Sequence, residues 1–135
     1  MAGYSGTPLI KKIGIKDHHH VLILNPPEDF DSTLGELPPS VRRAARVTEQ
    51  LDVILCFTRS VTDMKKRFSP LTDALVVNGM LWICWPKKAS GVVTDLNENV
   101  IREIGLAKGL VEVKVCAIDE IWSGLKFVRR KADRG

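Results

Sequence analysis

Three strongly apolar segments divide this chain, and each predicts a β-strand that is covered on both faces. The runs are Val21 to Leu24, Asp52 to Phe57 and Met80 to Trp85. Between them, apolar residues recur at steps of three and four, the spacing of amphipathic helices. Because strands and helices alternate, right-handed crossovers should give a mainly parallel sheet with helices on both faces.

Helix boundaries are predicted from capping residues, glycine and proline. The first predicted helix begins after Thr7 and stops at Gly14, and the second runs from Phe30 to Leu37. The third begins at Ser60 and is kinked or broken at Pro70. The fourth begins at Asp95 and ends at Gly109.

The last third of the chain alternates apolar and polar residues, which is typical of strands with one exposed face. Val111 to Ala117 and Leu125 to Arg129 therefore predict an antiparallel hairpin at one sheet edge, with its turn at Trp122-Ser123-Gly124. Asn78-Gly79 predicts a second turn. Val41 to Val47 fits a helix as well as a short edge strand, and it is assigned to the strand. The expected fold is a three-layer α/β sheet with a C-terminal antiparallel hairpin.

Composition agrees with a single α/β domain spanning residues 1–135, since 44% hydrophobic and 27% charged residues are ordinary globular values. No apolar run approaches the roughly 18 residues that cross a bilayer, and no signal peptide is recognised, so a cytoplasmic protein is expected. Cys56, Cys84 and Cys116 lie in apolar stretches without Cys-x-x-Cys spacing, which predicts core residues rather than a disulfide framework or a metal site.

The net charge of +4 comes largely from the tail after Phe127 and from scattered lysines. A solvated terminus explains it, so we expect a small anionic ligand rather than nucleic acid or a membrane as the partner. A dimer through an edge strand stays open. His18, His19 and His20 are consecutive and lack the i, i+4 spacing of helical metal ligands, so no metal is predicted.

Three segments resemble an uncharacterised family of short bacterial proteins, classed as a domain of unknown function. The segments are Gly3 to Leu9 with Lys11 to Ile15, Trp85 to Gly91, and Asp119-Glu120 with Trp122 to Lys126. The resemblance covers nearly the whole chain. It implies a coherent bacterial cytoplasmic domain and supplies no mechanism.

Residues 52–130 are also similar to the later half of class I methyltransferases that use S-adenosylmethionine, which implies a Rossmann-like, methyltransferase-like sheet. Those enzymes follow the first strand with a glycine-rich turn that lies against the cofactor. Here Asn25, Pro26, Pro27 and Glu28 occupy that place. Two prolines remove two N–H donors and stiffen the loop, so no cofactor is predicted.

Three candidate sites follow from these patterns. Asn25-Pro26-Pro27 resembles the Asn-Pro-Pro-aromatic motif of amino-methyltransferases, although that motif follows the fourth strand there. A second candidate leaves the end of a parallel strand, where open α/β sheets bind ligands, and could hold an anion through Lys87, Lys88, Ser90 and Gly91.

The third candidate is a polar cluster near the predicted hairpin turn, comprising Asp119, Glu120, Trp122, Ser123 and Lys126. The indole offers a stacking surface and the carboxylates could accept hydrogen bonds. An ordinary turn, in which a carboxylate caps backbone N–H groups, explains the same residues.

No complete catalytic constellation is found. The first hypothesis for function is therefore a non-catalytic binding or regulatory module on a degenerate methyltransferase-like fold. The alternative is a small transferase, either a methyltransferase or an enzyme acting on a phosphorylated small molecule.

Overall fold

The computed structural model describes residues 8–134. Its helices are α1 (Leu9–Ile13), α2 (Phe30–Leu34), α3 (Val61–Ala74) and α4 (Glu98–Ala107). Its strands are β1 (His20–Leu24), β2 (Arg42–Ala44), β3 (Leu51–Phe57), β4 (Leu75–Pro86), β5 (Leu110–Ala117) and β6 (Trp122–Arg129). Thr7, the predicted cap of α1, and the resembling segment before Pro8 lie outside these residues. No helix among the described residues is long and apolar enough to span a membrane.

The six strands form one sheet in the order β2-β1-β3-β4-β6-β5. Neighbours from β2 to β4 pair in parallel, whereas β6 is antiparallel to both β4 and β5. The predicted fold class is therefore confirmed: a mainly parallel α/β sheet with a C-terminal antiparallel hairpin.

Side chains of the central strands are buried alternately on the two faces of the sheet, because successive residues of a strand point in opposite directions. One face packs against α3 and α4, where Phe68 meets Phe127 edge to face with ring centroids 5.4 Å apart. The other face packs against α1 and α2 around Trp82, which is fully buried. The three predicted layers are thus present.

A hydrogen bond from the interior of β4 holds α1 on the sheet. The Trp82 indole Nε1–H donates to the Ile13 carbonyl oxygen over 3.0 Å, and both residues are completely buried. This bond satisfies the indole donor and one of the carbonyls that a helix leaves unpaired at its C-terminus.

The turn predicted at Asn78-Gly79 is wrong, because β4 runs through both residues. The pairing of β3 with β4 shifts register here, and a Cβ on Gly79 would lie 3.0 Å from the Val76 carbonyl oxygen. Arg129 stabilises the irregular segment, since its guanidinium donates to the carbonyls of Thr72 and Val76 at 2.8 and 2.6 Å.

The predicted turn at Trp122-Ser123-Gly124 is also wrong, because these residues begin β6. The connection lies before them, and Trp122 pairs with Pro86 of β4. The predicted cap at Asp95 is a further error. Asn97 caps α4 by accepting from the Val100 N–H over 2.9 Å, and Asp95 accepts from the Val61 N–H at the start of α3 instead.

The remaining predicted elements are present, and two of them are shorter than expected. The helix containing Pro70 is a single element, α3, and Ser60 caps it as predicted. The helix at Phe30 ends before Gly35 rather than at Leu37. The strand predicted over 41–47 is confirmed at the edge of the sheet but contains only three residues.

We predict that Gly105→Ala destabilises the protein by about 1–3 kcal/mol, because the added Cβ must displace packed side-chain atoms. That Cβ would lie 2.1 Å from an edge carbon of Phe127. In an exposed helix the same substitution would stabilise by about 1 kcal/mol. Urea unfolding measures whether the free energy of unfolding falls or rises. The exposed Glu103→Ala is the control on α4. Stabilisation by Gly105→Ala would contradict the packing of α4 on β6.

Candidate functional site

The direction of chain progression reverses between β1 and β3. From β1 the chain moves outward to the edge strand β2, then returns to place β3 on the opposite side of β1. In an open α/β sheet the loops diverge at such a switch point and leave a crevice beyond the carboxyl ends of the strands. The crevice in this chain lies where Leu24 and Phe57 end their strands.

A cleft of about 670 Å³ fills that position and is called the switch-point cleft here. Its volume falls within the range of about 300–1,000 Å³ typical of small-molecule sites. Its lining residues are Asn25, Pro26, Pro27, Phe57, Thr58, Arg59, Ser60, Asp63 and Trp122.

Aromatic rings form the apolar part of the switch-point cleft. Phe57 contacts Trp122 edge to face, with centroids 5.1 Å apart, and Phe30 packs on Phe57 at 4.9 Å. Edge-to-face packing fixes the orientation of all three rings. A ligand in the cleft would therefore meet a rigid aromatic wall.

Hydrogen bonds among side chains hold the polar corner of the cleft between β3 and α3. The Thr58 hydroxyl donates to an oxygen of Asp63 over 2.7 Å, while Arg67 donates to the other oxygen over 2.9 Å. Ser60 accepts from the Asp63 N–H over 3.0 Å. Thr58 is only 4% exposed, so its hydroxyl depends on the carboxylate as a partner.

The pKa of Asp63 is lowered from its usual value. Partial burial opposes this shift, but the hydrogen bonds from Thr58 and Arg67 and the positive charges of Arg67 and Lys66 outweigh it. The carboxylate is thus ionised at neutral pH and already paired, so it serves as a fixed acceptor rather than as a proton carrier.

The loop after β1 lacks the free backbone N–H groups that would hold a methyltransferase cofactor. Asn25 is in the left-handed region with φ 53°, and Pro26 and Pro27 have no N–H to donate. At the start of α2, the N–H groups of Phe30 and Ser32 already bond to backbone carbonyls at 3.2 and 3.1 Å. The loop therefore does not fit the glycine-rich mode of cofactor binding, in which free backbone N–H groups face the ligand.

The lysine loop predicted as an anion site leaves β4 and forms a single 3-10 turn, Lys88–Ser90, before Gly91. Lys87 donates through Nζ to the Asp119 carbonyl over 2.7 Å, and the Ser90 hydroxyl donates to the Lys87 carbonyl over 2.6 Å. Lys88 is exposed. Lys87 and Ser90 thus form contacts within the protein, and an anion site in this loop stays a prediction.

The third predicted cluster is divided by the structure. Asp119 lies in the turn before β6, where its carboxylate accepts from the N–H groups of Ile121 and Trp122 at 2.8 and 2.7 Å. Glu120 is exposed beside it. Trp122 reaches the switch-point cleft, whereas Ser123 and Lys126 lie further along β6.

The structure thus brings together Trp122 and the motif Asn25, Pro26 and Pro27, which come from two different sequence predictions. The sequence interpretation missed Thr58 and Arg59 as cleft residues and used Ser60 and Asp63 only as a helix start. Their position directly after a buried parallel strand was the signal that could have identified them.

The histidines and cysteines do not form a metal cluster. Within residues 8–134, no three side chains among His, Cys, Asp and Glu converge as metal ligands. The His19 imidazole Nδ1 accepts from the Lys16 N–H over 3.1 Å. Burial raises the pKa of the Cys56 thiol to about 12 and raises that of Cys84 well above its usual value, which makes both thiols unreactive.

Known proteins of similar structure show what this architecture resembles. No family model matches the chain, and no curated protein matches it. Among solved structures, the N-methyltransferase NodS from Bradyrhizobium japonicum is similar with a TM-score of 0.52 and 19% identity, covering 83% of this chain and 85% of NodS. The fold is methyltransferase-like.

Two further structures support this assignment. A TehB-like S-adenosylmethionine-dependent methyltransferase from Corynebacterium glutamicum has a TM-score of 0.57 and 12% identity, covering 90% of this chain and 85% of the enzyme. The magnesium protoporphyrin IX methyltransferase ChlM from Synechocystis, solved with S-adenosylmethionine, has the same TM-score and identity. The match covers 90% of this chain and 74% of ChlM. At such identities the similarity establishes the fold and nothing finer.

We predict that Thr58→Val raises the pKa of Asp63 and destabilises the protein by about 1–2 kcal/mol at pH 7, because the buried donor is lost. In the wild type, ionised Asp63 contributes stability above the unfolded pKa of about 3.9, and this contribution disappears as pH falls through the lower folded value. The difference between wild type and variant should therefore narrow below about pH 4.

Carbon-13 NMR titration of the Asp63 carboxyl and urea unfolding at several pH values measure these effects. Thr62→Val, at the exposed neighbouring position on α3, is the matched control. An unchanged Asp63 pKa in Thr58→Val would exclude the proposed role of this hydroxyl.

Proposed function

We propose that this chain is a small-molecule-binding protein whose ligand occupies the switch-point cleft. The observation that carries the proposal is the position of the cleft, beyond the carboxyl ends of β1 and β3 where the chain direction reverses. Its size and its mixture of aromatic and hydrogen-bonding walls also suit a small organic ligand.

Side chains, rather than a backbone loop, would hold this ligand. The amide of Asn25 is exposed at the rim and offers both a donor and an acceptor. Ser60 accepts from a backbone N–H and keeps its hydroxyl proton for a ligand acceptor. The paired Asp63 contributes no unbalanced charge, whereas Arg59 in the lining forms no salt bridge among residues 8–134. The cleft therefore favours a zwitterionic or anionic molecule with a flat apolar part against Phe57 and Trp122.

A small transferase is the second candidate, and the structural neighbours favour it. NodS is an N-methyltransferase, and ChlM was solved with S-adenosylmethionine. If this chain uses the same cofactor, side chains of the cleft must replace the donors that Pro26 and Pro27 remove. The two candidates share one site and differ in whether bound ligand is converted.

A panel of S-adenosylmethionine, S-adenosylhomocysteine, nucleosides and NAD, screened by thermal shift, tests the cleft. We predict that Asn25→Gly weakens binding of any stabilising compound about tenfold, because one ligand hydrogen bond is lost while glycine tolerates the left-handed backbone. Gln50→Gly, also exposed and at positive φ of 62°, is the matched control and should bind normally.

Chemical-shift mapping provides a second measurement, because bound ligand should perturb the Trp122 indole signal. Binding that is unaffected by Asn25→Gly and leaves Trp122 unperturbed would place the ligand elsewhere and overturn the proposal. Formation of S-adenosylhomocysteine with a methyl acceptor would establish the transferase candidate, and binding of S-adenosylmethionine without turnover would favour the non-catalytic module.

A further inference from the structure

Two opposed lysines of the hairpin lie on the sheet face against which α1 packs, and the charges of two lysines from the α1 region reach the same part of the sheet. Lys114 of β5 and Lys126 of β6 occupy directly opposite positions in the antiparallel register. Side chains of opposite residues project from the same face of a sheet, so these two ammonium groups are neighbours. Lys12 and Lys16 of the α1 region complete what is called here the hairpin lysine cluster.

The bond that anchors α1 brings the end of this helix to the part of the sheet that contains Lys126. Lys126 pairs on its other side with Trp82, whose indole donates to the Ile13 carbonyl. Ile13 precedes Lys16 by three residues, and Lys12 is next to Ile13 in the helix. The positive charges of Lys114 and Lys16 both act on Lys126, and those of Lys12 and Lys114 act on Cys116, two residues beyond Lys114 on β5.

No carboxylate among the described residues forms a salt bridge with this cluster. The four salt bridges within residues 8–134 all use arginines. Glu112 of β5 is paired with Arg102 of α4, on the other face of the hairpin. Residues 1–7 contain neither Asp nor Glu, so that segment has no acidic side chain to contribute.

Like charges directly opposite each other on a sheet destabilise the fold. Lys126 is also partly buried. Its burial is the main cause that lowers its pKa, and the positive charges of Lys114 and Lys16 lower the pKa further. An anion bound between the ammonium groups would offset both the repulsion and the cost of burying a charge. Four flexible ammonium donors fit a phosphate chain, whose charge is spread over several oxygens.

We propose that the hairpin lysine cluster binds a compact polyanion that carries two or more linked phosphate groups. This site is separate from the switch-point cleft, because Lys126 is four residues along β6 from Trp122, about 13 Å in an extended strand. The proposal therefore does not depend on what the cleft binds. The phosphate chain could belong to a nucleotide or to inorganic polyphosphate, which share this chemistry.

Thermal shift and calorimetry with inorganic tripolyphosphate test the site at constant ionic strength. At a tenfold excess over the Kd, the Tm of the wild type should rise by roughly 5 °C. Lys114→Gln with Lys126→Gln should weaken binding at least tenfold, because two of the four charged donors are lost. Lys65→Gln with Lys66→Gln, two exposed positions on α3, should bind as the wild type does.

Without any anion, the Lys114→Gln, Lys126→Gln variant should be at least as stable as the wild type at low salt, because the opposed charges are gone. Equal binding of tripolyphosphate by this variant and the wild type would overturn the proposal. Binding that is lost only in Lys87→Gln with Lys88→Gln would also overturn it, because the site would then lie in the lysine loop. No binding of tripolyphosphate, or binding only of an RNA oligonucleotide, would also overturn it.

ATP and adenosine distinguish the sources of the phosphate chain. Stronger binding of ATP than of tripolyphosphate, with loss of both in the Lys114→Gln, Lys126→Gln variant, supports a nucleotide ligand. Equal binding of both supports recognition of the phosphate chain alone. Binding of adenosine as tight as that of ATP would show that the phosphates are not recognised and would contradict the proposal.

Discussion

The hydrogen bond from Thr58 to Asp63 joins the end of β3 to the first turn of α3. Burying the polar Thr58 side chain is costly unless its hydroxyl is hydrogen-bonded, and this hydroxyl donates a hydrogen bond to the Asp63 carboxylate. The same carboxylate fixes Arg67 one turn further along α3. The direction in which α3 leaves the sheet, and with it one wall of the switch-point cleft, depends on this contact.

Proline shapes the opposite wall of the cleft. Because Pro26 and Pro27 cannot donate, the β1 loop offers ligands side chains and carbonyl oxygens in place of a row of N–H groups. The methyltransferase-like sheet is retained while the usual anion-binding surface after β1 is missing. Positive charge is concentrated instead on the hairpin face, where lysines of separate elements meet without acidic partners.

The architecture could be predicted because its signal is local in sequence. Val21 to Leu24 and Met80 to Trp85 are continuous apolar runs, and few structures other than doubly covered strands bury such runs. Errors occurred where a distant residue decides the local conformation. At Asn78-Gly79 the strand continues, and Arg129, far along the chain, donates to neighbouring carbonyls. Asp95 accepts from the Val61 N–H of α3 instead of capping the nearer α4.

The candidate site was only partly predictable for the same reason. Asn25 and Trp122 were each selected for their chemistry, but their proximity follows from the order of the strands, which no short motif encodes. Lys126 was assigned to a hairpin-turn cluster because the turn itself was misplaced. Its actual neighbours, Lys114 and Lys16, become visible only when register and helix position are known.

The strand order β4-β6-β5 also governs how the chain can be assembled during synthesis. β5 is made before β6 but reaches the sheet only through it. Until Arg129 has left the ribosome, β5 has no partner strand and the carbonyls of Thr72 and Val76 have no guanidinium to accept from. Completion of the sheet must therefore follow synthesis of the last strand, and a nascent chain stopped before it would expose the Leu81 to Trp85 edge to other chains.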